Sequence, residues 1–240
     1  MKIGIMQPYF FPYIGYWQLI NAVDEFLLFD VVQYIRHGWI NRNRLLKQGG
    51  WTYVTLPLSA HSRDTKIKEI TISDKIDLRV YVLNHFVIYK NKAPFYGETF
   101  ELMDNVLSGV NSNNIVDINE YVIAKMMETL GIRAKLGVCS RMGFDYSNVK
   151  GPDDWPIEIS RQRGASMYIN PISGRNIYSY EKFDAANLKL SFIRPKDITY
   201  NQFYDRFEPS LSIIDVLMFN GVERTKQLLD EYDILDGASV

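Results

Sequence analysis

Three observations predict an α/β fold for this chain. Short apolar runs, KIGIM, EFLLFD, AKLGVCS, SMYIN and LKLSFI, recur along the 240 residues and read as strands. Segments with helical spacing separate most of them. The chain also opens on strand, loop, helix, strand, a βαβ unit that normally builds parallel sheet.

In chain order, KIGIM is the first strand, and the helix over residues 15–22 shows Trp17, Ile20 and Val23 at helical spacing. EFLLFD is a second strand, closed by Asp30. Loops that follow parallel strands lie beyond their carboxyl ends, where open α/β sheets bind ligands. Residues 7–13 and 30–36 should therefore share one rim. GWTYVTLPL alternates and reads as a strand after a Gly49-Gly50 turn, and TKIKEITIS alternates likewise. Helices follow over 77–90, 95–107 and 117–131, the last capped by Asp117 and ended by Gly131. Residues 77–131 thus form a helical insertion or subdomain within a single domain spanning 1–240. A further helix over 154–163 stops at Gly164, and a short one covers 181–186. Two helices, near 212–219 and 222–232, make the C-terminal part helical.

Composition narrows the function. A 47% hydrophobic and 23% charged chain of this length buries a core without staples. The formal net charge of −1 argues against general nucleic-acid or anionic-membrane binding. Cys139 is the only cysteine, so no internal disulfide forms. The apolar run at the N-terminus stops at Gln7-Pro8, too short for a signal peptide, and no window approaches the roughly 20 apolar residues of a membrane span. A cytoplasmic protein is expected. HExxH, CxxC and GxSxG are absent, so ready-made zinc, dithiol and hydrolase motifs are missing and no metal ligands are assigned.

Four stretches carry chemistry. QPYFFPYIGYW sets two prolines and a glycine among aromatics, so that Gln7, Tyr9 and Tyr16 can wall a substrate site. Its plain alternative is a rigid turn whose aromatics pack the core. DVVQYIRHGWINRNR brings Gln33, Trp39, Asn41, Arg42, Asn43 and Arg44 into one polar segment suited to a phosphate or carboxylate. Asp30 and His37 are its candidate proton-transfer groups; a solvated loop is the alternative. YINPISGRNIY places Ser173, Gly174, Arg175 and Tyr178 after a strand, where backbone N–H groups can meet an anion, or where a glycine turn simply carries a surface arginine. YNQFYDRFEPSLSIIDVL adds Gln202 and a helix start at which Ser212 and Asp215 suit capping.

Taken in order, QPYFFPYIGYWQLI, VVQYIRHGWINRNR, YINPISGRNIY and FEPSLSIIDVLMFNG resemble the WbqC-like family over almost the whole chain. Members often carry His before the Gln-Pro pair, where this chain has Met6. The resemblance implies a setting in bacterial surface-polysaccharide (O-antigen) biosynthesis, with glycine or related aminoacyl transfer as the suggested activity. The strand order is also similar to the nucleotidylyltransferase-like, Rossmann-like folds, in which a first-loop motif and a later Ser/Arg loop hold nucleotide phosphates. PYIGYW and SGR take comparable places, without that motif's histidines.

Three functions fit these residues. The first is a transferase that modifies an activated sugar or sugar amine, with rings stacking on the sugar or base and Arg42, Arg44 or Arg175 holding phosphate. Its donor would be an acyl or aminoacyl group, or an adenylate made with ATP. The second is a nucleotidylyltransferase-like enzyme using ATP or CTP with magnesium. The third is a non-catalytic nucleotide-sugar-binding protein.

Overall fold

The computed structural model describes residues 1–204 and 206–239. Its centre is a six-stranded sheet in the order β5-β2-β1-β6-β7-β8. The strands are β1 (Lys2–Met6), β2 (Glu25–Leu28), β5 (Lys135–Val138), β6 (Met167–Pro171), β7 (Lys189–Pro195) and β8 (Tyr232–Asp236). All neighbours run parallel except β7 and β8, which are antiparallel. A separate hairpin pairs β3 (Arg42–Lys47) with β4 (Gly50–Thr55).

Side-chain alternation on the strands builds a core on each face of the sheet. Ile3, Ile5 and Leu27 pack with Ile159, Tyr168 and Phe183, beneath α5 (Asp154–Arg163) and α6 (Tyr180–Ala185). Phe26 and Leu28 join the larger core on the other face, with Tyr16, Trp17 and Leu19 of α1 (Ile14–Ala22) and with the buried side of α7 (Ile213–Leu228). Buried Gln18 locks these two helices together, since its Nε2 donates to the carbonyls of Leu228 and Glu231, each at 2.9 Å.

The long connection from β2 to β5 carries the hairpin and three helices, α2 (Leu78–Phe86), α3 (Tyr96–Ser108) and α4 (Ile115–Leu130). These helices share the larger core with α1 and α7. Gly131 and Gly164 end α4 and α5 in the left-handed conformation, as the sequence predicts. The cap of α4 is Asn114 rather than Asp117: its Oδ1 accepts from the amides of Val116 at 2.9 Å and Asp117 at 3.4 Å.

Two expectations are corrected. TKIKEITIS is not a strand but a 3-10 turn at Ile67–Glu69 with isolated bridges, because its partners are short loop segments at Gln33, Leu58 and Asn114. RNRLLK, which carries no sequence expectation of its own, is β3. The C-terminal part is not all helical. The two expected helical segments are both present, meeting within α7 at Gly221, whose φ of 65° and ψ of −179° are non-helical; the second ends at Leu228, and the chain returns as β8 on the sheet edge. Among the described residues no helix is long and apolar enough to cross a membrane.

Candidate functional site

The site begins at a break in sheet direction. From β1 the chain crosses through α1 on one face to reach β2; from β6 it crosses through α6 on the other face to reach β7. Neighbouring strands whose connections leave in opposite directions open a crevice at their carboxyl ends. Here Met6 closes β1 and Pro171 closes β6, and both line a cleft of about 310 Å³. This lies at the small end of the range for ligand sites.

The first wall is the loop over residues 7–13. Prolines prevent it from continuing β1 or starting α1 early, so its carbonyls need other partners. Side chains supply them. Tyr16 OH donates to the Gln7 carbonyl at 2.9 Å, Asn119 Nδ2 to Pro8 at 2.8 Å and Asn43 Nδ2 to Phe10 at 3.0 Å. Ser212 Oγ donates to Phe11 at 2.8 Å and Trp17 Nε1 to Pro12 at 3.0 Å. Phe10 and Phe11 are buried in the core, whereas Tyr9 and Tyr13 line the cleft. Gly15 makes room for this arrangement, because a Cβ there would lie 2.4 Å from the Tyr13 ring. Burial raises the hydroxyl pKa of Tyr9, with Tyr13 adding to the shift, and burial raises that of Tyr13. Both phenols stay protonated and able to donate at neutral pH.

The second wall comes from the hairpin. Trp39, Asn43 and Arg44 line the cleft, and the Trp39 carbonyl accepts from the Phe10 amide at 2.9 Å. The half-buried Arg44 guanidinium lies 5.6 Å from the Trp39 ring centre and 5.3 Å from that of Trp51. Its Nη2 donates to the Ser210 carbonyl at 2.9 Å, and its buried Nε has no partner among the described residues. Arg44 takes part in no ion pair among the described residues. Ser173, just past β6, and Ser210, at φ 55° before α7, complete the lining. Tyr13 and Ser210 also border a groove of about 540 Å³ that runs past Pro195 at the end of β7 to Phe207 and Pro209.

The structure brings Tyr9, Trp39, Asn43 and Ser173 together in the cleft, with Arg44. The other sequence-nominated residues lie elsewhere. Asp30 is fully buried, and its carboxylate accepts from the Ser140 amide at 2.9 Å and hydroxyl at 2.5 Å. His37 is exposed in a turn at φ 63°. Arg42 staples that turn through the carbonyls of His37 and Gly38 and lies 4.1 Å from the Tyr53 ring centre. Asn41 is buried, joining Tyr34 OH to the Leu56 carbonyl. Tyr16 is buried beneath the first loop, and Gln7, half-buried, is not among the cleft-lining residues.

Gln33 lines a different pocket. Gly174 is buried beside Asn170, Arg175 is exposed, and the Tyr178 hydroxyl accepts from Asn170 Nδ2 and bonds the Tyr168 hydroxyl. Gln202 is buried, donating to Asp215 at 2.9 Å. Cys139 is buried too, and burial pushes its thiol pKa well up, so it stays a protonated core residue. Sequence reasoning missed Tyr13 and Ser210 as contact residues.

A model of the WbqC-like protein family matches residues 7–227. A Mycobacterium tuberculosis protein described as uncharacterized is 26% identical over 224 residues, which cover 92% of this chain and 95% of the relative. No solved structure matches. Because the matched span covers most of the chain and takes in every lining residue of the cleft except Met6, the chain belongs to the WbqC-like protein family.

Proposed function

We propose that this protein is a transferase acting on an activated sugar or sugar amine in bacterial surface-polysaccharide (O-antigen) biosynthesis, moving an aminoacyl, glycyl or acyl group in the cytoplasm. One observation carries the reading. A half-buried guanidinium with no anionic partner among the described residues, flanked by two indoles, stands in the crevice where a Rossmann-like sheet would hold a nucleotide. A cation drawn partly out of water is costly until an anion meets it. The phosphates of a nucleotide sugar supply that anion, Trp39 offers a face for a base or sugar, and the Tyr9 and Tyr13 phenols offer donors. The adjoining groove gives a second substrate a place beside the first.

A second reading, a non-catalytic nucleotide-sugar-binding protein, is favoured by the lining itself. Phenol, indole, amide, hydroxyl and guanidinium groups bind and orient, while Asp30 and His37 lie outside the cleft. The experiment is thermal unfolding with UDP-glucose, UDP-N-acetylglucosamine, ATP, acetyl-CoA and glycine. A nucleotide sugar is expected to stabilise the wild type, by about 2.7 kcal/mol at a hundredfold excess over Kd. Arg44→Ala should abolish that stabilisation. Equal stabilisation of the variant would remove Arg44 from the site. Stabilisation by ATP alone would favour nucleotidyl transfer. Turnover with a thioester donor separates the transferase from the binding protein.

A further inference from the structure

A pocket of about 600 Å³ lies between residues 33–36 and 61–63, apart from the cleft. Its two walls are fixed to one another. Gln33 pairs with Lys66, the Tyr34 amide donates to the Thr65 carbonyl at 2.9 Å, and the Ile67 amide donates to Val32 at 2.9 Å. Gln33 Nε2 donates to the Arg63 carbonyl at 2.7 Å, which sets the backbone from which the Arg63 side chain leaves. Opposite it stands Arg36. Both arginines are exposed, and neither takes part in an ion pair among the described residues.

The acids nearest in sequence do not line the pocket: Asp64 is exposed, and Glu69 accepts from the Lys66 amide. Burial raises the Tyr34 hydroxyl pKa, and the charges of Arg42 and Arg36 oppose that rise, so cationic field reaches the pocket floor. His61 stands edge-on to the Tyr34 ring, with centres 5.3 Å apart. Its Nδ1 lies 2.9 Å from the Ser59 carbonyl, which calls for the proton there and leaves Nε2 as an acceptor; that buried Nε2 has no partner among the described residues.

We propose that this pocket is a second anion site, which takes a phosphate monoester between the guanidiniums of Arg36 and Arg63, held by walls that need no rearrangement. Planar forks suit a phosphate, and pre-formed walls lower the ordering cost of binding. The site does not depend on the function proposed for the cleft. A chain with two separate anion sites can hold two phosphorylated compounds at once.

The chain has three histidines, so imidazole resonances report the site directly. Inorganic phosphate and glucose 6-phosphate are titrated at constant ionic strength while the nitrogen-correlated signals of His61 and His85 are followed. The His61 signals should move and saturate while those of His85, in α2, stay fixed. Arg36→Ala and Arg63→Ala should each weaken binding at least tenfold, and Arg44→Ala should leave it unchanged. Both replaced side chains are exposed, so the variants should fold, and unmoved His85 signals check this. Equal affinity for the two probes assigns free phosphate, and tighter glucose 6-phosphate binding assigns a sugar phosphate. Absence of saturation by about 10 mM, ten times the Kd of a weak millimolar site, would overturn the proposal. So would unchanged affinity in both arginine variants, or loss of binding in Arg44→Ala.

Discussion

Asp215 shows how burial and hydrogen bonding compete at one residue. Its carboxylate is fully buried and accepts from Tyr89 OH at 2.8 Å, Tyr200 OH at 2.7 Å and Gln202 Nε2 at 2.9 Å. Burial wins over these bonds and raises its pKa to about 6. A carboxyl whose folded pKa exceeds its unfolded value stabilises the fold fully below the unfolded value of about 3.9. That contribution is lost as pH rises through about 6, and a shift of roughly two units corresponds to about 3 kcal/mol. Denaturant unfolding of wild type and Asp215→Asn should therefore move in favour of the variant as pH rises from about 4 to 7, the range between and just above the two pKa values. Parallel curves would show that Asp215 does not titrate in this window. For Arg44→Ala, loss of the Ser210 bond and the indole contacts should cost about 1–2 kcal/mol, so the variant folds while losing its ligand. Sequence alone could not choose Arg44 from Arg42 and Arg175. The choice follows from how the hairpin sits against the first loop, a tertiary contact that local pattern does not encode.

The elements differ in how openly the sequence declares them. Helices α4 and α5 end at glycines that take positive φ, and strands β1, β2 and β6 are short runs rich in apolar residues; both signals are local. β8 is acidic and half-exposed, and it becomes a strand only because β7 offers it an edge. The aromatic loop was legible as a site wall, but not which rings turn inward. Phe10 and Phe11 go to the core and Tyr9 and Tyr13 to the cleft because distant side chains hold the intervening carbonyls. Asn119 of α4 is one of them, donating to both Pro8 and Ile40 carbonyls at 2.8 Å. Asn119→Ala leaves two buried acceptors unpaired and should cost about 2–4 kcal/mol, with ligand affinity falling alongside. An unfolding midpoint like that of wild type would show that the loop holds itself. In α7, Gly221→Ala should destabilise by more than about 1 kcal/mol, since φ is 65° and the new Cβ would lie 2.8 Å from the Phe95 ring. Unchanged stability would mean that the kink relaxes freely.

At the scale of the whole molecule, the βαβ start and the parallel sheet were legible from strand runs and their spacing. The direction change between β1 and β6 was not, because those strands are separated by more than half the chain and only their pairing reveals it. We propose that residues 77–131 are an integral part of the single domain rather than a separately folding insertion. α4 shares the larger core with α1 and α7 and holds the first loop. Unfolding should then show one transition by both circular dichroism and tryptophan fluorescence, whereas two separated transitions would mark an independent subdomain. The central claim is that the crevice between β1 and β6 binds a phosphate-bearing sugar through Arg44. Its most direct test is a crystal structure with the nucleotide sugar that most stabilises the protein. Ligand density between Tyr9, Arg44 and Ser173, with phosphate oxygens on the guanidinium, is the predicted result; density only at another surface, with that crevice empty, would contradict it.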